Sequence, residues 1–274
     1  MSSITFFKRP AAPMPSQIFH CCIQKSASRW LKGILASPAI LRASGMEIHD
    51  PGRDFILSRR NRSQLTQGFP GGAIVTPLYV PGEVFESIPK HAENWRGFWV
   101  MRDPRDMVVS RYFSNRYSHE LRNQDLARER RELEQLPFEE GLARMIEDLG
   151  GRTSELLRCL DSWVGMDRDP RIKLVRYEDL AGKNGLATMQ SILGHCGISL
   201  SRNAMKKIWR RNDFRKLSGG RDRGNTDPRH HYRRGVAGDW RNHFTSRHCR
   251  LFRKTSGDLL QRLGYEKTGD WCRC

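Results

Sequence analysis

Short apolar runs recur along the chain, and longer stretches that mix apolar and charged residues separate them. Four of these runs predict buried strands, at residues 18–23, 73–80, 98–101 and 172–175. Pro77 interrupts the second strand. Residues 28–36 predict a helix that ends before Pro38, and Pro104 suits the first turn of a helix after the third strand. Strands that alternate with helices favour an α/β fold with a mainly parallel sheet flanked by helices.

Two charged segments depart from this pattern. Residues 121–136 mix Glu and Arg, which suits an exposed helix that is either a solvated face or a lid over a substrate. Residues 218–234 are rich in glycine and charge, and they predict a mobile loop that could order around an anion. No internal repeat or linker is visible, so we expect one domain over residues 1–274 with a core from about 18 to 265.

The charge balance of the chain is strongly basic. Its 274 residues include 48 Lys and Arg against 30 Asp and Glu, for a formal net charge of +18. Such an excess points to a polyanionic partner: nucleic acid, an anionic membrane or a phosphate-rich ligand. Few of these cations could fit around one small ligand, so most of them serve the solubility of the surface.

Cysteine usage and hydropathy predict the compartment. Seven cysteines are an odd number, and no metal-ligand spacing accompanies them, so we expect unpaired thiols in a reducing environment. The amino-terminal segment lacks the apolar core of a signal peptide, and no apolar run is long enough to span a membrane. The expectation is a soluble cytoplasmic protein.

The first candidate site lies between the first predicted strand and the first predicted helix. Residues 24–30 read Gln-Lys-Ser-Ala-Ser-Arg-Trp. Backbone N–H groups at the start of a helix bind anions, and the hydroxyls of Ser26 and Ser28 and the ammonium of Lys25 would reinforce such a site. The GxxxxGK[ST] pattern is absent, which disfavours a P-loop that hydrolyses ATP.

The second candidate site follows the third predicted strand. Arg102 stands at the strand end, and Ser110 lies two turns into the next helix, within the string Arg-Asp-Pro-Arg-Asp that continues to a Val-Ser-x-Tyr segment. An Arg fork and a Ser hydroxyl placed in this way can converge on one phosphate. A helix cap with Arg as an ordinary surface charge is the alternative, which the full string disfavours.

Taken in order with three later segments, these motifs resemble the sulfotransferases that use 3′-phosphoadenosine 5′-phosphosulfate (PAPS). The later segments are residues 175–180, 213–221 and 233–244, and the last, Arg-Arg-Gly-Val-Ala-Gly-Asp-Trp-Arg-Asn-His-Phe, is the most specific. The resemblance runs from about residue 18 to residue 244 and leaves 121–150 without a motif. It implies a P-loop-like sulfotransferase domain with the ligand beyond the carboxyl ends of the strands.

The resemblance assigns roles to individual residues. It implies that Lys25 contacts the phosphosulfate and that the 5′-phosphate is cradled by Ser26, Ala27, Ser28 and Arg29. It places three aromatic side chains at the adenine: Trp30, Tyr177 and Phe214. It implies that the 3′-phosphate is bound by Arg102, Ser110, Arg233, Arg234 and Gly235.

Some positions depart from the family pattern. Gln24 and Ala27 stand where the family typically has Pro and Gly, and Asp213 replaces a Ser found in many bacterial relatives. Arg29 stands where a second Thr is typical, and it adds a fixed charge beside the sulfuryl group, as carbohydrate sulfotransferases often do.

The general base is the least defined part of the site. Small-molecule sulfotransferases use a His in a His-Leu-Pro segment, which this chain lacks. A second resemblance, to heparan-type carbohydrate sulfotransferases, points to Glu47 as base with His49 supporting it or serving instead. Burial would raise the pKa of a Glu toward working pH. The alternative is that both residues belong to a surface turn before Pro51, and the sequence does not favour either interpretation over the other.

The expected reaction is transfer of the sulfuryl group from PAPS, with PAP as product, to a hydroxyl or amine of a small molecule or natural product. A carbohydrate acceptor is the alternative, and a basic nucleic-acid-binding protein is the rival of another class. No metal is implied, and no RNA-recognition or helix-turn-helix signature supports specific nucleic-acid binding. The oligomeric state is not readable from the sequence.

Overall fold

Five parallel strands form the sheet of this computed structural model, which describes residues 13–52, 66–121, 123–150 and 156–271. The strands are β1 (Gln17–Cys22), β2 (Glu47–His49), β3 (Ala73–Leu78), β4 (Arg96–Met101) and β5 (Ile172–Arg176). Their order in the sheet is β2-β3-β1-β4-β5, and every neighbouring pair runs parallel. Parallel neighbours need crossover connections, and helical segments supply them between β1 and β2, between β3 and β4 and between β4 and β5.

Helices connect and cover the strands. In chain order they are α1 (Ser28–Leu35), α2 (Pro38–Ser44), α3 (Gly82–Ser87), α4 (Pro104–Phe113), α5 (Gln124–Gln135), α6 (Phe138–Gly150), α7 (Leu156–Ser162), α8 (Tyr177–Ala181), α9 (Gly185–His195), α10 (Arg202–Arg211), α11 (Phe214–Leu217), α12 (Ser246–Ser256) and α13 (Leu259–Arg262). One π-helical turn (Ser114–Ser118) and two 3₁₀ turns (Met166–Arg168 and Asp239–Asn242) complete the set. None of the helices in the described ranges is long and apolar enough to cross a membrane.

Side chains of the central strands alternate between two apolar cores. Phe19 and Trp99 face the core that α4, α6 and α12 cover, whereas Ile18 and Phe98 face the core under α1, α9 and α10. Because both faces of the sheet are covered, the strands are almost continuously apolar rather than alternating in polarity. The predicted α/β class, with a parallel sheet flanked by helices, is confirmed.

The four predicted strands are all present, with two differences. The three-residue strand β2 was not predicted, because so short an edge strand carries no pattern of its own. Pro77 lies within β3 rather than ending it, and the pairing with β1 shifts register between Phe19 and Cys21. A proline cannot donate a ladder hydrogen bond, so an irregular register is where a strand tolerates one.

Within the charged segment 121–136, residues 124–135 form the predicted exposed helix, α5, and Leu133 is its one buried side chain. Residues 218–234 follow an irregular path. Arg221 holds it by donating to the backbone carbonyls of Asn225, Arg233 and Tyr232 at 2.9, 2.8 and 2.6 Å. An arginine thus serves here as an internal scaffold for the backbone.

The carboxyl edge of the sheet collects the predicted motifs. The loop after β1, the start of α4 after β4 and the start of α8 after β5 emerge side by side, because β1, β4 and β5 are consecutive strands. Ligands of open α/β sheets bind at this edge. The topology therefore brings Lys25, Arg102 and Tyr177 to one place.

Candidate functional site

The loop after β1 makes two left-handed turns. Lys25 and Ala27 have φ angles of 72° and 68°, a region that costs a residue with a Cβ about 1–2 kcal/mol. The buried Ser26 between them donates its hydroxyl to the Ile23 carbonyl at 2.6 Å. A glycine, which the family typically has here, would adopt the conformation of Ala27 without strain, so this departure carries an energetic cost.

Lys25 lies in a strongly cationic environment. Burial and the charges of four guanidinium groups lower the pKa of Lys25 from 10.5 to about 7. The groups belong to Arg102, Arg233, Arg29 and Arg111. A lysine surrounded by cations gains its proton most readily when an anion is present. The loop therefore has the electrostatics of an anion site.

Arg102 connects the loop to its neighbours. Its Nη1 donates to the Lys25 carbonyl at 3.0 Å, and its guanidinium carbon lies 4.4 Å from the centroid of the Tyr177 ring. The Nε of Arg102 is buried and has no hydrogen-bond partner in the described part of the chain. Asp106 Oδ2 lies 3.7 Å from Arg102 Nη2, and Ser110 is one turn beyond Asp106 on α4. Asp106 and Ser110 thus share one face of α4, and Arg102 approaches that face at Asp106.

Carboxylates at the start of α4 hold the surrounding backbone. Asp103 caps the helix by accepting the Arg105 N–H at 2.9 Å, and it also binds the buried Arg105 guanidinium at 2.7 Å. Asp106 accepts the N–H groups of Gly238 and Trp240 at 2.7 and 2.9 Å. These bonds tie the loop at 233–240 to the first turn of α4.

Arg233 and Arg234 converge on the buried carboxylate of Asp239. Both guanidinium groups form ion pairs with Asp239, and Asn242 and His243 approach it at 3.0 and 3.3 Å. Burial alone would raise the pKa of Asp239, but the hydrogen bonds from His243 and Arg233 hold it well below its usual range. Asp239 therefore fixes the positions of two arginines beside the site.

Gly235 allows the same loop to pack against an aromatic ring. Its φ is +69°, and a Cβ there would lie 2.3 Å from Cδ2 of Phe214. Because no other residue fits, the glycine of the Arg-Arg-Gly segment is a packing requirement. Phe214 is buried as a result.

Two of the residues assigned to the adenine form one wall. Trp30 donates its indole N–H to the Asn212 carbonyl at 2.8 Å, and the guanidinium carbon of Arg223 lies 6.0 Å from the Trp30 ring and 5.9 Å from Phe214. Trp209 of α10 packs on Trp30 with ring centroids 5.3 Å apart. The sequence analysis missed Trp209, whose only signal was an aromatic residue on an amphipathic helix.

Tyr79 is a second residue that the sequence analysis missed. It directly follows β3, and its hydroxyl donates to the Ser28 hydroxyl at 2.7 Å. Both side chains are buried. The strand boundary was the available signal, because a polar group at the carboxyl end of β3 neighbours the loop after β1.

The sheet register does not bring Glu47 to this site. Glu47 pairs with Ala73, which pairs with Gln17, so Glu47 is level with the first residue of β1. Lys25 follows the last residue of that strand. Five residues separate Gln17 from Cys22, the last residue of β1. At about 3.3 Å per residue, the level of Glu47 is therefore roughly 17 Å from the end of β1 after which Lys25 lies. Glu47 is also exposed, so its assignment as base has no support from the geometry.

His49 lies in the same strand, two residues nearer the carboxyl edge, where it pairs with Val75 and is level with Phe19 of β1. Its ring packs edge-on against Phe69 at 5.4 Å. Asp50, the next residue, forms an ion pair with Lys32. Lys32 lies in the second turn of α1, the helix that leads away from the loop after β1. His49 is thus a packing residue of the sheet edge rather than a neighbour of Lys25.

Comparison with known proteins decides the family. A model of the sulfotransferase domain matches residues 85–264, about two thirds of the chain. The chain belongs to the sulfotransferase family. This result confirms the predicted family and establishes the protein as a sulfotransferase enzyme.

Individual proteins similar to this chain in sequence or structure include sulfotransferases. A flavonol sulfotransferase-like protein of Flaveria bidentis is 24% identical over 257 residues, which cover 85% of this chain and 77% of that protein. The crystal structure of mouse sulfotransferase SULT7A1 complexed with PAP aligns with a TM-score of 0.61 at 20% identity, covering 94% of this chain and 87% of that one. Retinol dehydratase complexed with androsterone and PAP aligns with a TM-score of 0.60 at 18% identity, over 92% and 82%. At these identities the two structures confirm the fold.

Proposed function

We propose that this sulfotransferase transfers the sulfuryl group of PAPS to a hydroxyl or amine of a small-molecule acceptor at the carboxyl edge of the sheet. The family supports sulfuryl transfer, and the structural neighbours described as PAP complexes support the donor. The observation that carries the proposal is the group of cations at the loop after β1. Arg102 donates to the Lys25 carbonyl at 3.0 Å, and burial and the charges of Arg102 and three further arginines lower the pKa of Lys25 to about 7. Such a cluster fits a ligand with phosphate groups.

The described residues fit the two ends of such a ligand. Lys25 and the loop from Ser26 to Arg29 would hold the 5′-phosphosulfate at the start of α1. Arg102, with its unpartnered buried Nε, and Ser110 would hold the 3′-phosphate. Arg233, Arg234 and Gly235 would close on it, and the adenine would lie among Trp30, Tyr177 and Phe214. Each assignment is a proposal that mutation can test.

Bound PAPS would supply the activated sulfuryl group. The ammonium of Lys25 would stabilise the negative charge that develops on the departing phosphate oxygen, and Arg102 would hold the nucleotide in register. The bond from Tyr79 to Ser28 would fix the first residue of α1. Catalysis by this chain is therefore electrostatic and positional, with fixed cations at the point where charge develops.

A small molecule is the acceptor class that the observations favour. The flavonol sulfotransferase-like relative supports it. The carbohydrate alternative rested on Arg29 and on the Glu47 and His49 pair, and the sheet register places that pair away from Lys25. Cys21, Cys22 and Cys196 are buried free thiols, which supports the proposed cytoplasmic location. Within the described ranges, no three His, Cys, Asp or Glu side chains converge as metal ligands.

The test is sulfuryl transfer from isotopically labelled PAPS to a panel of phenols, alcohols and amines. We expect one acceptor class to become labelled and PAP to accumulate in equal amount. We also expect PAP to raise the melting temperature more than ATP does, because PAP binds the native state alone. Absence of both label and thermal stabilisation would overturn the proposal.

A further inference from the structure

A basic surface borders the proposed nucleotide site. Residues 202–234 contain twelve Lys and Arg against three Asp, so this stretch carries half of the formal net charge of +18. Its densest part is α10, which has no acidic residue. We define the α10 basic surface as the five cations of this helix: Arg202, Lys206, Lys207, Arg210 and Arg211.

The α10 basic surface is uncompensated. Within the part of the chain that the structure describes, none of its five cations forms an ion pair. Other charged helices differ. On α5, Arg128 pairs with Asp125 at 3.0 Å and Glu129 with Arg111 at 3.8 Å. Pairing is common on this protein, so the absence of partners along α10 leaves a local excess of positive potential.

The opposite face of α10 contacts the nucleotide site. Met205 and Ile208 are buried in the core beneath the helix. Trp209 packs on Trp30, and Asn212, which follows the helix, accepts the Trp30 indole N–H at 2.8 Å. The α10 basic surface therefore lies on the helix that packs against Trp30, directly beside the wall assigned to the adenine.

Cations continue from this helix toward Lys25. Arg223 lies 6.0 Å from the Trp30 ring, and Arg233 lowers the pKa of Lys25 through its charge. A ligand with two phosphate groups and a sulfate carries about four negative charges near neutral pH. The electrostatic energy of such a ligand would fall as it moves from α10 past Arg223 and Arg233 to Lys25. A continuous series of cations of this kind accelerates the encounter with a charged ligand.

We infer that the α10 basic surface captures the anionic nucleotide before it enters the site and thereby speeds its association. This inference rests on the proposed function. The exposed cations act at a distance through the solvent, so they raise the association rate and leave the dissociation rate to the residues that touch the ligand. Only charges close to the nucleotide site contribute to this effect, because salt screens electrostatic attraction over about 8 Å at physiological ionic strength.

Two variants with equal loss of charge test this inference. The α10 variant carries Lys206→Gln, Lys207→Gln, Arg210→Gln and Arg211→Gln. The control carries Arg247→Gln, Arg250→Gln, Arg253→Gln and Lys254→Gln on α12, four exposed cations on the helix that covers the other core. Glutamine has nearly the helix propensity of the residues it replaces, so both variants should fold.

The readout is the change in tryptophan fluorescence when PAP is mixed rapidly with each protein, since Trp30 and Trp209 border the site. At low salt we expect the association rate constant of the α10 variant to fall about tenfold and that of the control to stay within about twofold of wild type. We expect this difference to shrink to about twofold or less at 0.5 M salt, with dissociation rates unchanged throughout.

Two results would overturn the inference in different ways. Equal association rates in both variants would remove the role of the α10 basic surface and leave the proposed function intact. Wild-type protein that neither binds PAP nor is stabilised by it would overturn the proposed function as well. A single-stranded oligonucleotide serves as the further probe. If the α10 variant loses only oligonucleotide binding, the surface serves nucleic acid and the inference is wrong.

Discussion

Arg102 and Arg171 make the same aromatic contact at opposite ends of the sheet. Arg102 follows β4 at the carboxyl edge, and its guanidinium carbon lies 4.4 Å from the centre of the Tyr177 ring. Arg171 precedes β5 at the amino edge and lies at the same distance of 4.4 Å from a ring of Trp95. The geometry of the cation above the ring therefore does not distinguish Arg102, which we propose binds the nucleotide, from Arg171, which is structural.

The distance to the nearest carboxylate does distinguish them. Arg171 binds Asp169 at 2.8 Å and Glu93 at 2.9 Å, and its hydrogen bond lowers the pKa of Asp169. Arg102 donates to a backbone carbonyl, and its ion-pair partner Asp106 lies at 3.7 Å. Asp106 also accepts two backbone N–H groups, so part of its capacity is already used.

The lysines at the two ends repeat this contrast. Burial lowers the pKa of both, to about 8 for Lys90 and to about 7 for Lys25. The charges around Lys90 include the carboxylates of Glu86 and Asp169, whereas the four that act on Lys25 are all arginines. The amino end of the sheet thus places carboxylates beside its lysine, whereas the carboxyl end places arginines beside Lys25, an arrangement that favours an anion.

The largest effect is expected at Lys25. Lys25→Ala should lower kcat about 10²- to 10³-fold, the range seen when one preorganised charge or donor at a developing anion is removed. Folding should survive, because the substitution relieves repulsion from the surrounding arginines. Lys32→Ala on α1, the helix that follows this loop, is the control and should leave kcat within about twofold, since an exposed ion pair contributes little. Steady-state kinetics with PAPS decide the matter, and full activity of Lys25→Ala would remove the proposed role.

The two stacked arginines give the next largest effect. Arg102→Ala should weaken PAP binding about 10- to 100-fold, which corresponds to about 1.5–3 kcal/mol for a hydrogen bond to a charged group. Arg171→Ala should leave PAP affinity unchanged and lower only the melting temperature. Equilibrium titration and thermal unfolding of both variants measure these effects. Equal losses of affinity in the two variants would break the contrast between the two ends.

The pH dependence of PAP binding should report Lys25. In the free protein its pKa is about 7, so Lys25 is largely neutral at pH 8.5, and a bound anion would restore the proton. Binding should therefore take up close to one proton at pH 8.5 and little from this lysine at pH 6, and affinity should fall as pH rises above 7. Calorimetry in buffers of different ionisation enthalpy counts this proton, and Lys25→Met should abolish the uptake.

The same pKa fixes the sign of the stability profile of the free protein. Between about pH 7 and 10.5 the unfolded chain binds a proton at Lys25 that the folded chain lacks. The contribution of this group to the free energy of unfolding therefore rises with pH across that window. A Lys25→Met variant should lack this rise. Identical profiles in wild type and variant would contradict the lowered pKa.

The smallest effect is expected for Tyr79→Phe. The substitution removes one buried hydrogen bond to Ser28, worth about 1 kcal/mol, and should lower kcat/KM about fivefold or less. The measurement is kcat/KM together with the melting temperature. A loss as large as that of Lys25→Ala would show that the Tyr79 hydroxyl takes part in the reaction instead of holding the loop.

Local patterns explain why much of the fold was predictable. The apolar runs of β1 and β4 and the proline at the start of α4 are signals within a few residues of each other. The loop from Lys25 to Trp30 and the position of Arg102 follow from the strand ends, because parallel strands present their carboxyl ends at one edge. Lys25 and Arg102 could therefore be predicted as neighbours without any long-range information.

Long-range register explains what was missed. The position of Glu47 depends on pairing with β3, a strand that begins 26 residues later, and no local signal reveals that pairing. The contact of Trp209 with Trp30 and the convergence of two arginines on Asp239 depend on tertiary packing in the same way. The resemblance of Glu47 and His49 to a motif of heparan-type carbohydrate sulfotransferases therefore did not predict where the sheet register places them.

The most direct test of the central claim is a calorimetric titration of the wild-type protein with PAP and with adenosine 5′-monophosphate, which lacks only the 3′-phosphate. If the cations at the carboxyl edge hold this nucleotide, PAP should bind about 10- to 100-fold more tightly, because Arg102 and Arg233 would contact the extra phosphate. Equal affinities for the two nucleotides, or no binding of either, would contradict the account.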